Sequence, residues 1–348
     1  AAEAVRPLAT EESARVRSMA CSALGRLKDA EAIPELTAIL WENENRDPWL
    51  RHAAATALAR ISDSAKLQTM AADGFAQVRL GAALAMRRMR DPAIERLLFD
   101  PDTGVALEAA RAINDLDINA AMPGLAALGD RFTDAASSAD VGGFTADNPR
   151  TLPLLRRVIA ANRRVSDPAA VARLAELARS SRIPPAARLL AMEALAEWAA
   201  PGPREPVQGH VMIIDPASRD QAAWKRTLTN RLPALVTNAP DEAVRDKARE
   251  LAAKAGIALD SAAALRTALD AKADSSERIA CLKQLEQEGG APLDQAVRAA
   301  LASSDPALRA AARDALARRD PAAALPLLRA ALNVGSVPER QAAIRSLA

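Results

Sequence analysis

Few residues of this sequence have the types and spacing that catalysis or metal binding requires. The chain holds two histidines, His52 and His210, and two cysteines, Cys21 and Cys281, each far from the others. Zinc-type sites need three or four such ligands at close spacing, and the sequence has no such cluster. It also lacks glycine-rich phosphate loops, a GxSxG turn and a CxxCH haem-attachment motif. We therefore expect no catalytic residue, metal or cofactor in this segment.

Arginine is the polar residue that follows a regular pattern. The stretches DPWLRHAAATAL (47–58) and DPALRAAARDAL (305–316) agree at eight of twelve positions. In the recurring motif, Arg is followed by small residues three and six positions later and by an apolar residue at seven. Successive copies are mostly 27–34 residues apart, with gaps of 82 and 57, and a copy at 105–113 has Ala106 in place of the Arg. The anchor arginines are Arg17, Arg51, Arg79, Arg188, Arg245, Arg278, Arg309 and Arg340.

An acidic residue commonly precedes the anchor by four positions, where a helix N-cap accepts free backbone N–H groups. These predicted N-caps are Asp47, Asp102, Asp241, Asp274 and Asp305. Pro48 and Pro306 follow two of them at the first helical position, which tolerates proline. Regular arginines could form a basic stripe for phosphates. The companion aspartates favour a structural ladder instead, in which each Arg bonds an Asp or a carbonyl of an adjacent loop.

The repeat period predicts the architecture. Apolar segments with helical spacing precede several copies of the motif, at 33–40, 93–99, 121–128, 171–178 and 324–332. A period near 30 that is built from two helices is typical of a solenoid. Half the residues are hydrophobic and only 2% are aromatic, and such an Ala- and Leu-rich composition favours closely packed helices over sheets. The sequence predicts an all-α solenoid, or superhelix, of stacked antiparallel helix pairs.

The Asp-x-x-x-Arg-x-x-Ala-x-x-Ala-Leu unit, with its proline-initiated partner helix, resembles a HEAT repeat of the short bacterial, PBS-lyase-like kind. The resemblance implies HEAT-like repeats over 1–129, 151–198 and 223–348, the last stopping partway through a helix pattern. Two segments interrupt them: an irregular loop at 130–150 and a Pro/Gly-rich segment at 199–222. We expect the second to lie as an extended strap across the solenoid surface. We also expect the chain to be part of a longer protein.

Charge and hydropathy restrict the partners. There are 46 basic and 44 acidic residues, so no strong global field attracts nucleic acid. No apolar run reaches the roughly 18 residues of a membrane span. The four tryptophans are Trp41, Trp49, Trp198 and Trp224. They could line a groove, but we expect them to fill gaps at repeat junctions. The partners that we expect are proteins, or neighbouring domains of the same protein.

Longer passages suggest a narrower relationship. FDPDTGVALEAARAINDLDINAAMPGLAAL (99–128), LLRRVIAANRRVSDPAAVARLAELA (154–178) and AMEALAEWAAPGPREPVQG (191–209) resemble the helical region of large secreted bacterial dehydrogenase-like proteins. In that family a sorbosone- or glucose-dehydrogenase-like β-propeller precedes the HEAT array, and a c-type haem domain commonly follows. Glu205 and Pro206 depart from the family's usual Asp-Arg. The resemblance implies a periplasmic or secreted parent oxidoreductase whose catalytic residues and haem ligands lie outside this segment.

Three functions remain open from the sequence. The leading hypothesis is a non-catalytic scaffold that serves as the helical spacer of such a dehydrogenase. A free-standing HEAT-repeat scaffold for partner proteins is the alternative. A HEAT-like nucleic-acid enzyme is disfavoured, because it would need a basic groove with aromatic residues and a poised carboxylate.

Overall fold

The computed structural model describes residues 1–134, 143–257 and 259–347. Within these ranges the chain is helical, and its only β pairing is an isolated bridge between Arg204 and Val211. The predicted all-α solenoid of antiparallel helix pairs is confirmed. The chain divides into two compact units, residues 1–220 and 221–348.

The first unit stacks six helix pairs, and in each pair we call the first helix A and the second B. Its B helices pack in order, each on the next. They are α2 (Ala14–Leu27), α4 (Pro48–Ile61), α6 (Ala76–Met89), α7 (Thr103–Asp115), α9 (Thr151–Arg164) and α11 (Pro185–Glu197). The A layer contains α1 (Ala2–Val5) with a 3-10 turn (Arg6–Thr10), α3 (Ile33–Asn43), α5 (Ser64–Met70), a 3-10 helix (Pro92–Phe99), α8 (Met122–Ala127) and α10 (Ala169–Arg179).

The second unit has the same pairing. Its A helices are α12 (Gln221–Asn238), α14 (Ser261–Leu269), α16 (Gly290–Leu301) and α18 (Pro321–Val334). Its B helices are α13 (Glu242–Ala255), α15 (Ser275–Glu288), α17 (Pro306–Arg319) and α19 (Val337–Leu347). Buried Cys281, Leu285, Leu308 and Ala312 belong to one core cluster between the central pairs.

Helix α4 shows why the repeat motif folds as it does. The Asp47 carboxylate accepts hydrogen bonds from Trp49 N (2.8 Å) and Leu50 N (3.1 Å), which satisfies two free donors at the helix start. Pro48 occupies the first turn. Leu50 and the run Ala53–Ala55 are buried, because small residues let α4 lie close to the neighbouring helices on both sides.

Glycine marks the closest approach between two B helices. A Cβ at Gly25 of α2 would lie 2.8 Å from the backbone Cα of Ala57 in α4. Real Cβ atoms are essentially never that close to another heavy atom. The spacing between α2 and α4 therefore depends on the absence of a side chain at this position.

The 93–99 segment differs from the regular α-helix that its spacing suggests. The structure has a 3-10 helix over Pro92–Phe99, with the Asp91 carboxylate accepting from Ala93 N at 3.0 Å. Ile94 and Leu97 are both buried. They lie three residues apart, so a helix of three residues per turn brings both onto the core.

Candidate interaction surfaces

The anchor arginines bond mainly to the turn that precedes their own helix. Arg188 donates to the carbonyl oxygens of Ser180 (3.1 Å) and Ile183 (2.6 Å). Arg245 donates to the carbonyl of Ala239 at 2.6 Å, and Arg278 to that of Ala268 at 3.2 Å. These bonds satisfy carbonyl groups in and beside the turn that connects an A helix to its B helix. Most of the anchors are thus engaged within the fold rather than presented as a free basic stripe.

Arg79 links neighbouring repeats most completely. Its Nε and one terminal nitrogen donate to the two carboxylate oxygens of Asp100, at 2.6 and 2.8 Å. Its other terminal nitrogen donates to the carbonyls of Asp73 (3.0 Å) and Gly74 (3.2 Å). The bond to Asp100 raises the pKa of the Arg79 guanidinium above its ordinary value. One side chain therefore holds its own turn and the end of the following A helix together.

Arg309 does the same in the second unit with a different acid. It donates from Nε (2.9 Å) and a terminal nitrogen (3.0 Å) to Glu339, which also accepts from Arg313 at 2.9 Å. Glu339 caps α19 as well, because it accepts from Ser336 N at 3.0 Å. The bond with Arg309 holds the pKa of this buried carboxyl well below its usual range.

The other anchors have fewer such contacts. Arg17 pairs with Glu42 at 3.1 Å, and Arg51 reaches the carbonyl of Asn45 at 3.4 Å. Arg340 lies in α19, and its backbone N–H donates to Ser336 O at 2.9 Å. Ala106, which replaces an anchor, is fully buried.

The predicted N-cap aspartates lie at the starts of the B helices. The Asp102, Asp274 and Asp305 carboxylates accept from backbone N–H groups two residues later, at 2.8, 2.7 and 2.7 Å. Asp241 occupies the residue before α13. The carboxylates of Asp47, Asp102, Asp274 and Asp305 thus cap their own helices, whereas Asp241 holds the N-cap position of α13 without a side-chain capping bond. The acids that pair with anchor arginines lie elsewhere, at positions such as Asp100 and Glu339.

Exposed aromatic residues follow the edge where A helices end and B helices begin. Trp41 lies in the last turn of α3 and Trp49 in the first turn of α4. Phe75 precedes α6, and Phe99 ends the next A helix. Their exposed fractions are 47%, 80%, 52% and 52%. The rings of Trp41 and Phe75 meet edge-to-face with centroids 5.9 Å apart, and the Arg131 guanidinium lies 5.0 Å from the centroid of Phe99. We call these four residues the aromatic edge.

The exposure of Trp41 and Trp49 contradicts the expectation that the tryptophans fill gaps at repeat junctions. Trp198 does so, since it is buried and its Nε1 donates to Asn162 O at 3.1 Å. Trp49 and Trp41 do not. The motif position between Pro and Leu is held by Trp49 in one copy and by Ala307 in the other, and both residues are exposed. A tryptophan at an outward position of a repeat is a surface feature.

Within the 199–222 segment, residues 202–219 lie against the B helices of the first unit. Arg163 of α9 donates to the carbonyls of Gly202 (2.8 Å) and Arg204 (3.2 Å). Glu205, the departure from the dehydrogenase-like pattern, is fully buried and accepts from Asn114 Nδ2 of α7 at 3.3 Å. The segment thus crosses from α11 to α7.

Arg219 fixes the C-terminal end of this segment to the first unit. Its guanidinium carbon lies 4.7 Å from the ring centroid of Trp198, and a terminal nitrogen donates to Arg163 O at 2.6 Å. Burial, and secondarily the charge of Arg163, lowers the pKa of Arg219 below its ordinary value. Between these anchors Val211 and Ile213 remain 68% and 84% exposed.

The 130–150 loop falls partly outside the described residues. Of the part that the structure gives, Phe132 and Phe144 are both buried, and their rings meet edge-to-face with centroids 6.4 Å apart. The Thr151 hydroxyl at the start of α9 donates to Thr145 O at 2.6 Å. The loop's two phenylalanines therefore belong to the core.

In the ranges that the structure gives, no group of three or more His, Cys, Asp or Glu side chains is placed to hold a metal ion. None of the helices described is both long and apolar enough to cross a membrane. Cys21 is buried, and burial raises the pKa of its thiol to about 11.

Residues 2–72 match the family model for HEAT repeats. This match includes the HEAT motif copies at Arg17 and Arg51, whose helices α2 and α4 pack on each other. No match to a curated protein sequence was found.

Among solved structures, the chain is similar in fold to Kap121p. It aligns with a Kap121p mutant at a TM-score of 0.55 and 13% identity, covering 99% of this chain and 41% of that one. Karyopherin Kap121p bound to the extreme C-terminus of the protein phosphatase Cdc14p gives 0.53, 14%, 99% and 41%. The complex with the SUMO protease Ulp1p gives 0.53, 14%, 99% and 40%. The chain spans about two-fifths of these proteins, and the likeness shows a HEAT-like solenoid fold.

Proposed function

We propose that this chain is a non-catalytic HEAT-like scaffold that binds partner proteins through the aromatic edge of its first unit. The observation that carries the proposal is the exposure of Trp41, Trp49, Phe75 and Phe99 along one edge. The chain has only four Trp and four Phe, so half of its aromatic residues lie there. Large aromatic side chains dominate the energetics of protein interfaces.

The composition of the edge suits recognition rather than reaction. Trp49 stands beside the N-cap of α4, where Asp47 and the buried Leu50 hold the backbone fixed. On a fixed backbone a tryptophan has only two side-chain torsions to order, so little conformational entropy is lost when a partner covers it. Covering it also removes apolar surface from water, which favours association. The solved Kap121p structures with bound protein segments offer a precedent for partner binding by this fold.

Paired affinity captures test the proposal. Tagged wild-type protein and a Trp49→Ser/Phe75→Ser variant are incubated with lysate of the source cells, and bound proteins are identified by mass spectrometry. Each candidate is then purified, and its affinity is measured by calorimetry. We expect the double substitution to weaken binding at least tenfold, since truncating a central aromatic anchor costs about 2 kcal/mol or more.

Val334→Ser is the matched control, because Val334 is also an exposed apolar residue but lies in the second unit. It should leave the affinity unchanged. Equal affinities for the wild type and the Trp49→Ser/Phe75→Ser variant would overturn the proposal. Circular dichroism must show the same helicity for all three proteins.

The more specific role is that of a helical spacer in an extracytoplasmic propeller dehydrogenase with a c-type haem domain. The passage at 191–209 supports it, because a solenoid does not require such a proline-rich exit from a helix and because the passage resembles that family. The flanking coding sequence tests it: a β-propeller upstream and a CxxCH motif downstream are expected. Their absence would favour the free-standing scaffold, and sugar turnover by the isolated chain would refute a non-catalytic role.

A further inference from the structure

A basic pocket opens on the B layer of the first unit. It has a volume of about 500 Å³. The residues that line it come from α4, from α6 and its C-terminal end, and from the residue after α7. They are His52, Ala55, Leu84, Arg87, Arg88, Arg90 and Leu116. None is acidic, and we call this cavity the basic pocket.

The charges around the basic pocket are only partly compensated. Arg87 pairs with Glu108, and Arg111 shares that same carboxylate at 3.7 Å. Arg88 donates to the Nε2 of His52 at 2.8 Å, so its partner is an imidazole rather than a carboxylate. The exposed Arg90 side chain makes no ion pair or hydrogen bond with any residue that the structure describes. Glu108 thus serves Arg87 and Arg111, and no carboxylate among the described residues pairs with Arg88 or Arg90.

The C-terminal end of α6 compensates the positive charge of these arginines only in part. Arg87 and Arg88 lie in its last turn, and Arg90 is its C-cap residue with a left-handed φ of 53°. A helix C-terminus supplies the equivalent of about half a negative charge, which stabilises nearby cations. Arg88 and Arg90 therefore remain without a carboxylate partner among the described residues, although the helix end lies beside them.

The interior of the basic pocket is apolar. Ala55, Leu84 and Leu116 line it between the arginines. An anion without an apolar part would leave these groups in contact with water. A ligand that carries carboxylates next to an aliphatic side chain would satisfy both the charges and the apolar surface.

We propose that the basic pocket binds an acidic segment of a partner protein, in which carboxylates flank a Leu-like side chain. This inference rests on the proposed scaffold function and names the chemistry of one partner segment. Arg88 and Arg90 would bind the carboxylates, since neither has an acid of its own. Leu84 and Leu116 would contact the aliphatic side chain.

Nucleic acid fits the basic pocket less well. Binding of single strands without sequence preference relies on aromatic side chains that stack on bases, and none lines the pocket.

Fluorescence anisotropy of labelled peptides tests the proposal with the full chain. The probe is a capped six-residue peptide that alternates Glu and Leu, and its neutral counterpart alternates Gln and Leu. A twelve-nucleotide oligothymidylate is the third probe. We expect the acidic peptide to bind most tightly, and Arg88→Ala and Arg90→Ala each to weaken it up to about fivefold. Raising the salt concentration from 0.1 to 1 M should also weaken binding of the acidic peptide to the wild-type protein.

Arg15→Ala is the matched control, because Arg15 is an exposed arginine on α2 outside the basic pocket. It should not change the affinity. The proposal is overturned if the acidic and neutral peptides bind equally, if Arg88→Ala/Arg90→Ala binds like the wild type, or if the oligonucleotide binds most tightly. Partner capture that still depends on Trp49 and Phe75 would then leave the scaffold function standing.

Discussion

Removal of the Arg79 side chain tests whether an anchor arginine holds adjacent repeats together. Arg79 makes two bonds to Asp100 and two to backbone carbonyls, and the side chains of the pair are 12% and 3% exposed. Breaking a buried ion pair on one side costs about 3–5 kcal/mol. Asp100 keeps a bond from Asp102 N at 2.8 Å, so we expect Arg79→Ala to cost about 3 kcal/mol, at the low end of that range.

Hydrogen exchange measured by mass spectrometry locates this loss. In a stack of repeats each unit contacts mainly its neighbours, so the effect should be local. A loss of about 3 kcal/mol corresponds to roughly a hundredfold faster exchange of the slowest amides in α6 and the following A helix. Amides of the second unit should be unchanged.

Arg51→Ala is the control at the same motif position. Its side chain makes one long hydrogen bond, at 3.4 Å to Asn45 O, so we expect a loss of less than about 1 kcal/mol. If Arg79→Ala and Arg51→Ala accelerated exchange equally, the ion pair with Asp100 would not stabilise the stack. Arg79→Lys should recover little, because an ammonium group cannot form the bidentate contact.

Two further predictions concern other parts of the stack. Gly25→Ala should destabilise the first repeats by about 2 kcal/mol through overpacking against Ala57, although helix propensity alone favours Ala over Gly. Urea unfolding measures the sign of the change in stability. Gly74→Ala is the neutral control, because Gly74 has open space around it. Glu339 has a pKa below that of the unfolded chain, so its stabilisation of α19 is complete at neutral pH and should decline as the pH falls below about 5. Exchange protection of α19 between pH 7 and 4 measures this decline, and a Glu339→Gln variant that lost protection with the same pH dependence as the wild type would contradict the assignment.

The repeat motif by itself determined the helix pairs. The Asp caps, first-turn prolines and Ala-rich B helices are local signals, because each acts within one or two turns of the chain. They predicted the all-α solenoid that the structure has. They also predicted where B helices begin, as at Asp47 and Asp305.

Only the tertiary structure decided which side chains meet across repeats. Asp100 and Glu339 became the partners of Arg79 and Arg309 because stacking brings residues 21 and 30 positions apart into contact. The exposure of Trp49 and the uncompensated charge of Arg90 likewise depend on what the neighbouring helices cover. Local sequence sets the shape of each helix pair, whereas the surface that is left open is set by how the pairs pack, since burial is a property of the assembled stack.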